Sequence, residues 1–116
     1  MINKKLLNEI FSTSNEIITN KFYNGKPVYR RCYEITTTSP TQDFNTGISN
    51  FDKVITFSAL PVYSGGTYAG MQYSNTSDKA NIYLNSNGTK FCSRLLTSNN
   101  SYPTWRIVLE YTKTTN

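Results

Sequence analysis

The side chains that could carry acid–base or metal chemistry are few in this sequence and lie far apart. Histidine is absent, which removes a histidine general base, a nucleophile–histidine pair and every histidine-ligated metal site. No two acidic residues form a DxD or ExE pair, so spacing gives no support to the paired carboxylates of a glycoside hydrolase. The acidic residues are Glu9, Glu16, Glu34, Asp43, Asp52, Asp78 and Glu110. We therefore expect a protein that is not an enzyme and has no catalytic residues.

The two cysteines, Cys32 and Cys92, are not part of a CxxC pair. With two Cys and no His, a four-ligand Cys/His zinc site within one subunit is impossible, and we expect no metal and no cofactor. Two interpretations of the cysteines remain open, namely two small buried apolar residues or a disulfide. Gly65-Gly66 with Gly70 lacks the lysine and the following helix of a phosphate-binding loop, so this stretch predicts a turn.

The chain carries a net charge of +5, from 12 basic and 7 acidic residues. A basic surface can simply keep the protein soluble, or it can attract an anionic polymer. Only Lys4–Lys5 and Arg30–Arg31 are adjacent cations, which argues against nucleic-acid binding. No apolar stretch approaches the roughly 18–20 residues of a membrane span. The N-terminus lacks the apolar core of a signal peptide, so we expect synthesis in a cytoplasm without a cleaved leader and no membrane partner.

The elements that must position the polar side chains are predicted to be strands. Ser, Thr and Asn supply 42 of the 116 residues, and Tyr supplies 9 more. Threonine and aromatic residues suit a half-buried pleated surface, whereas Ser and Asn favour turns. In the last predicted strand, Trp105, Ile107, Leu109 and Tyr111 alternate with Arg106, Val108 and Glu110. This period of two predicts that Glu110 faces away from the core.

A second alternating strand follows Asn24-Gly25, a strong signal for a tight hairpin. Its residues Tyr29, Arg31, Tyr33 and Ile35 share one face, and Val28, Arg30, Cys32 and Glu34 share the other. Asn87-Gly88 predicts another hairpin. Residues 36–45 predict a polar loop, and residues 51–60 predict a nearly continuous apolar strand that Pro61 ends.

Residues 1–10 differ from the rest, because Ile2, Leu6 and Ile10 recur every four residues as in a short amphipathic helix or stem. Six to eight short strands separated by turn signals predict an antiparallel sandwich over the remaining chain. The sequence therefore predicts an all-β fold, a jelly-roll-like antiparallel β-sandwich over residues 11–116, preceded by an N-terminal helix or stem over residues 1–10.

An aromatic-Ser-Thr opening with an acidic residue stands at residues 11–16, and the hairpin at residues 22–31 reads FYNGKPVYRR. Residues 48–52 read ISNFD, and residues 107–116 read IVLEYTKTTN. In this order, these segments resemble the C-terminal head domain of tail-fibre and baseplate receptor-binding proteins from phages and prophages of Gram-positive bacteria, and the last segment is similar to that family's closing strand and tail. The chain departs from the pattern in having Phe22 or Tyr23 where the family often has Trp. Residues 61–97 match no part of it.

The resemblance implies a homotrimeric fibre tip in a virion tail or tail-like particle, joined to an upstream fibre segment. Such a tip adheres without covalent chemistry to a bacterial surface polysaccharide or a teichoic-acid-like polymer. Recognition residues lie on loops, so we expect them in or near the unmatched region, as tyrosines that stack on sugars. The receptor-binding candidates are Tyr63, Tyr68, Tyr73, Arg94 and Tyr102. The candidates for the oligomer interface are Ile2, Leu6, Ile10, Tyr29, Arg31 and Tyr33.

Two other function classes remain open. One is a purely structural tail or baseplate component, which holds subunits together and touches no receptor. The other is a nucleic-acid-binding module, which would show salt-sensitive retention on DNA or heparin.

Overall fold

A computed structural model describes residues 15–63, 67–68, 73–74, 79–95 and 102–115 of the chain. These residues form strands joined by turns, and within them no helix is long and apolar enough to cross a membrane. The N-terminal helix predicted for residues 1–10 lies outside the described residues. The strands are β1 Ile17–Tyr23, β2 Lys26–Thr36, β3 Thr41–Asn45, β4 Phe51–Tyr63, β5 Thr67–Tyr68, β6 Tyr73–Ser74, β7 Lys79–Leu84, β8 Lys90–Leu95 and β9 Thr104–Lys113.

The strands form two antiparallel sheets. The first has five strands in the order β1-β2-β9-β4-β5, and the second has four in the order β3-β8-β7-β6. The pair β3–β8 is nested inside the pair β2–β9 along the chain, as in the wrapped hairpin of a jelly roll, although β7 and β8 also form a direct hairpin. The predicted all-β, jelly-roll-like antiparallel sandwich is confirmed.

The core lies between the two sheets and is built on β9. Trp105, Ile107, Leu109 and Tyr111 are each 0% exposed, which confirms the alternation expected of the last strand. The sheets meet where the Trp105 indole Nε1 donates a 3.1 Å hydrogen bond to Ser93 Oγ of β8. The other buried apolar residues of this core are Tyr33, Ile35, Ala59, Ala80, Ile82, Phe91 and Leu95.

Both predicted hairpins are confirmed, by two different turns. Asn24 (φ 50°) and Gly25 (φ 77°) both have positive φ, which is the backbone of a type I′ turn between β1 and β2. Between β7 and β8, the Gly88 N–H donates a 3.0 Å hydrogen bond to the Asn85 carbonyl, and only Gly88 (φ 71°) has positive φ. This is a longer loop whose last residue takes the left-handed conformation.

Two predicted boundaries are wrong. Thr41–Asn45, predicted as part of a polar loop, forms β3 because each of its residues pairs with β8. β4 does not stop before Pro61 but continues to Tyr63, with Pro61 beside Trp105 of β9. Pro61 lies just before the pairing of β4 with β5, which begins at Val62, and proline is tolerated where a strand is at the edge of its sheet.

The two cysteines are not joined by a disulfide, and both are buried. Cys32 lies on the face of β2 opposite Tyr33, and Cys92 lies on the face of β8 opposite Phe91 and Ser93, which pack into the core. The core therefore separates the two thiols, since packed sheets stand about 10 Å apart and a disulfide needs Cα atoms within about 7 Å. Of the two interpretations left open, two buried apolar residues is the correct one.

Candidate functional site

The two ends of the sandwich are formed by different turns and strand ends. At one, which we call the hairpin end, the Asn24-Gly25 turn lies near the end of β9, and the Thr114 N–H donates a 2.8 Å hydrogen bond to the Asn50 carbonyl. At the other, the far end, Thr36 and Val62 both pair with Thr104. Residues 37–40 complete the far end, where the Thr37 N–H and Oγ1 both donate to the Pro103 carbonyl.

All five predicted receptor-binding residues lie at or beside the far end. Tyr63 ends β4, and Tyr68 in β5 pairs with Val62. Tyr73 in β6 pairs with Ala80, which in turn pairs with Leu95 at the end of β8. Arg94 precedes Leu95, and Tyr102 precedes Pro103. The fold thus gathers at one end residues that lie up to 39 positions apart in the chain (102 − 63). For the first three tyrosines only the backbone is described.

The chain enters the first sheet beside the middle of β2. Ile17, the first residue of β1, pairs with Arg30, and β1 runs from there to the hairpin turn. From Arg30 to Thr36 the neighbouring strand continues for six residues, which is about 20 Å of extended chain. The far end is therefore the part of the sandwich remote from β1.

Arg94 is held in place on the outer face of the four-stranded sheet. Its Nη1 donates to Asp43 Oδ1 at 3.0 Å and to the Ser93 carbonyl at 2.8 Å. Its guanidinium carbon lies 5.7 Å from the centre of the Tyr83 ring. The hydrogen bond between the two side chains raises the pKa of Arg94 and lowers that of Asp43, so both stay charged at neutral pH.

The sequence did not identify Tyr83 and Asp43 as site residues. The signal for Tyr83 was its alternation with Ile82 and Leu84, which put an aromatic ring on the polar face of a hairpin. Its partner Arg94 could not be found by spacing alone, because the register of β7 against β8 decides the contact. Tyr102, by contrast, is half-buried and packs against the core.

Three of the predicted interface residues make contacts within the chain. Tyr33 is 8% exposed, and its hydroxyl donates a 2.7 Å hydrogen bond to the Thr46 carbonyl. Arg31 Nη1 donates to the Gly47 carbonyl at 3.2 Å, and the Tyr29 ring stacks on Tyr111. These contacts give the three side chains a role inside one subunit. Their part in an oligomer interface stays a prediction. Ile2, Leu6 and Ile10 lie outside the described residues.

Glu110 is the most deeply placed charge in the described residues. It faces away from the core, as predicted, yet it is only 3% exposed. Its Oε1 accepts hydrogen bonds from Lys21 Nζ at 2.6 Å and from Thr56 Oγ1 at 3.1 Å, and its Oε2 accepts one from Arg30 Nε at 2.8 Å. Burial alone would raise the pKa of Glu110, but the bonds from Lys21, Arg30 and Thr56 outweigh it and lower the pKa. The carboxylate therefore stays ionised at neutral pH and has no proton to give as a general acid.

Two further ion pairs tie the hairpin end together. Lys113 Nζ lies 2.6 Å from Glu16 Oε1, and the Tyr111 hydroxyl donates to the same carboxylate. Asp52 Oδ2 accepts hydrogen bonds from Lys26 Nζ at 3.1 Å and Thr112 Oγ1 at 3.0 Å. These contacts fasten the chain just before β1, and the turn that follows it, to β9 and β4.

The described residues contain no group of three or more His, Cys, Asp or Glu side chains placed to hold a metal ion. No protein-family model, no curated protein and no solved structure matches the chain.

Proposed function

We propose that this chain is a non-enzymatic receptor-binding tip domain of a phage tail fibre or baseplate, adhering to a host surface polysaccharide or teichoic-acid-like polymer. The observation that carries the proposal is the gathering of Tyr63, Tyr68, Tyr73, Arg94 and Tyr102 at the far end, remote from where β1 begins. A tip domain needs this polarity, because one end joins the particle and the other meets the cell.

The sequence resemblance fits this division of the molecule. Two of the resembling segments, residues 22–31 and 107–116, lie in the β1–β2 hairpin and in β9, which are neighbours in the five-stranded sheet. The unmatched stretch, residues 61–97, supplies Tyr63, Tyr68, Tyr73 and Arg94 at the far end. A common framework that carries a variable recognition end is the usual arrangement of binding loops on a rigid scaffold.

Self-association into a trimer is part of the proposal, and β1 offers a surface for it. β1 is the outermost strand of its sheet and carries Ile18, Phe22 and Tyr23, which are 61%, 70% and 44% exposed. Apart from these three, only Val54 and Tyr83 are large exposed apolar residues in the described part of the chain. A second copy of the chain would remove this apolar surface from water, together with the edge of β1 that no described strand covers.

The second candidate is a structural tail component that binds subunits and no receptor. The same exposed strand favours it, because β1 carries three of the five large exposed apolar residues in the described part of the chain. Both candidates predict an oligomer, so binding to a surface polymer is what separates them.

The test combines light scattering after size exclusion with retention on immobilised bacterial surface polysaccharides. We expect a mass near three times 13.2 kDa and retention on at least one polymer. Tyr63→Ala, Tyr68→Ala and Tyr73→Ala should reduce retention while the mass stays unchanged. The control is Val54→Ala, which removes an exposed apolar side chain of β4 outside both the far end and β1, and should leave both the mass and the retention intact.

Retention that is equal in the wild type and in all three far-end variants would remove the far end as the receptor site. A stable trimer retained by no polymer would favour the structural candidate.

A further inference from the structure

The outer face of the four-stranded sheet presents a small flat array of polar and aromatic side chains. The strand registers place Arg94 between Thr41 and Asn81, Cys92 between Asp43 and Tyr83, and Lys90 beside Asn45. All of these point away from the core residues Phe91, Ser93 and Leu95, because side chains alternate along a strand. We call this array the Tyr83 face; its members are Asp43, Asn45, Asn81, Tyr83, Lys90 and Arg94.

At the centre of the Tyr83 face, the exposed Tyr83 ring lies beside a buried residue of the neighbouring strand. Tyr83 is 44% exposed, while its cross-strand neighbour Cys92 is buried. The Arg94 guanidinium lies 5.7 Å from the centre of the ring, and Asp43 holds that guanidinium from the other side. The ring is thus placed by its neighbours before any ligand arrives, which lowers the entropic cost of binding.

The charge of the Tyr83 face favours an anionic group beside the ring. Both described hydrogen bonds of Arg94 come from Nη1, and a guanidinium has five N–H donors, so donors are left for a ligand. Lys90 is exposed, and among the described residues no carboxylate lies within ion-pair distance of it. Two cations against the single carboxylate of Asp43 leave the face with a net charge of +1.

The side chains around the ring suit hydroxyl groups. Asn45 and Asn81 are exposed, and an amide can both donate and accept a hydrogen bond, as a sugar hydroxyl does. The face of an aromatic ring is negative and attracts the C–H groups of a sugar. An aromatic ring for stacking, flanking amides for hydroxyl groups and two cations for an anion together favour one class of ligand.

We propose that the Tyr83 face binds a sugar that carries an acidic substituent, a phosphate or a carboxylate. The sugar stacks on Tyr83, its acidic group is held by Arg94 and Lys90, and Asn81 bonds its hydroxyls. This inference rests on the proposed adhesion to a surface polymer and names a site for it on the outer face of the sheet, next to the far end.

The test is a titration of the ¹⁵N-labelled chain with glucose 1-phosphate, glucuronic acid and methyl glucoside, followed by amide NMR shifts. We expect both acids to shift the amides of Asn81, Tyr83 and Arg94, and methyl glucoside to shift them less. Tyr83→Ala should weaken binding roughly fivefold, the order expected of one aromatic contact. Tyr83→Phe should keep it, because the ring remains. The matched control is Tyr23→Ala, since Tyr23 is also 44% exposed but lies on β1.

Three outcomes would overturn the proposal. The first is the absence of shifts with either acid up to its solubility limit. The second is binding that Tyr83→Ala and Arg94→Gln leave unchanged. The third is tighter binding of oligothymidylate at the same residues, which would identify a nucleic-acid surface.

Retention on a surface polymer tests the Tyr83 face and the proposed adhesion independently of each other. If the wild type is retained by a surface polymer and Tyr83→Ala is retained equally, the adhesion proposal stands and the Tyr83 face is wrong. If the acids bind at Tyr83 but no polymer retains the chain, the site stands and the adhesion proposal fails.

Discussion

Gly88 is constrained both by its backbone and by the side chain that it faces. Its φ is +71°, and a Cβ at this position would lie 2.3 Å from Cγ of Phe51. Gly25 has a similar φ of +77° but open space around it, with nothing within 4 Å of an added Cβ. The two glycines therefore separate the effect of backbone conformation from that of close packing.

We predict that Gly88→Ala lowers the free energy of unfolding by about 2–4 kcal/mol, and Gly25→Ala by about 1 kcal/mol. Gly88→Ala strains the backbone and must also displace the Phe51 ring, whereas Gly25→Ala strains the backbone alone. Urea unfolding of both variants measures the difference. In a Phe51→Ala background the cost of Gly88→Ala should fall to that of Gly25→Ala; an unchanged cost would show that the ring is not responsible.

Glu110 should matter more than any exposed ion pair of the chain. Glu110→Gln removes the buried carboxylate that accepts hydrogen bonds from Arg30, which is 24% exposed, and from Lys21, which is 56% exposed, and we expect a loss of about 2–3 kcal/mol. The control is Glu34→Gln, whose pair with Arg106 is exposed on both sides and should contribute about 0–1 kcal/mol. Denaturant midpoints measure both, and equal losses would contradict the role given to burial.

The pH dependence of this contribution has a definite sign. Because the folded pKa of Glu110 is lowered, the stabilisation is fully present above the ordinary glutamate pKa of about 4.3. It is lost as the pH falls below that value through the folded pKa. The stability gap between the wild type and Glu110→Gln should stay constant from neutral pH to about pH 5 and shrink in more acidic buffer. A stability difference between the wild type and Glu110→Gln that widens on acidification would contradict this prediction.

At the scale of elements, β9 and β1 differ in what holds them. β9 pairs on both sides, with β2 and β4, and its core residues are 0% exposed. Among the described strands, β1 pairs only with β2; it has an irregular register between Ile18 and Phe22 and is tied to β9 by the bond from Lys21 to Glu110.

We therefore expect native-state hydrogen exchange to rank these two strands. In the dissociated monomer, the amides of β9 should exchange only through global unfolding, and those of β1 by local opening at a lower free energy. Lys21→Ala should lower the opening free energy of β1 and leave that of β9 unchanged except for any loss in global stability. Equal protection of β1 and β9 in the monomer would contradict this ranking, whereas protection of β1 that rises at oligomer-forming concentrations would identify β1 as the surface that a second subunit covers.

At the scale of the whole molecule, the sandwich keeps its thiols apart. Cys32 and Cys92 are buried on opposite outer faces of the two sheets, and burial is the main cause that raises the pKa of Cys32. We predict that a thiol reagent labels neither cysteine quickly in the native protein and labels both in urea without reductant. Fewer than two reactive thiols per unfolded chain would reveal a disulfide.

Local patterns in the sequence determined much of the architecture. The alternation of residues 105–111 identified the central strand and its buried face, and Asn24-Gly25 and Asn87-Gly88 identified two turns. These features depend on the period of a strand and on residues that tolerate positive φ, and both are properties of a few consecutive residues.

Only the tertiary structure decided the features that depend on pairing between distant segments. Thr41–Asn45 has little apolar pattern of its own and becomes a strand because β8 supplies its hydrogen-bond partners. Glu110 is buried because Lys21, Arg30 and Thr56 converge on it from three other strands. Arg94, Asp43 and Tyr83 form one surface because the register of β3, β8 and β7 aligns them. Register is a long-range property of the folded chain, whereas the period and the turns that sequence reading uses are local.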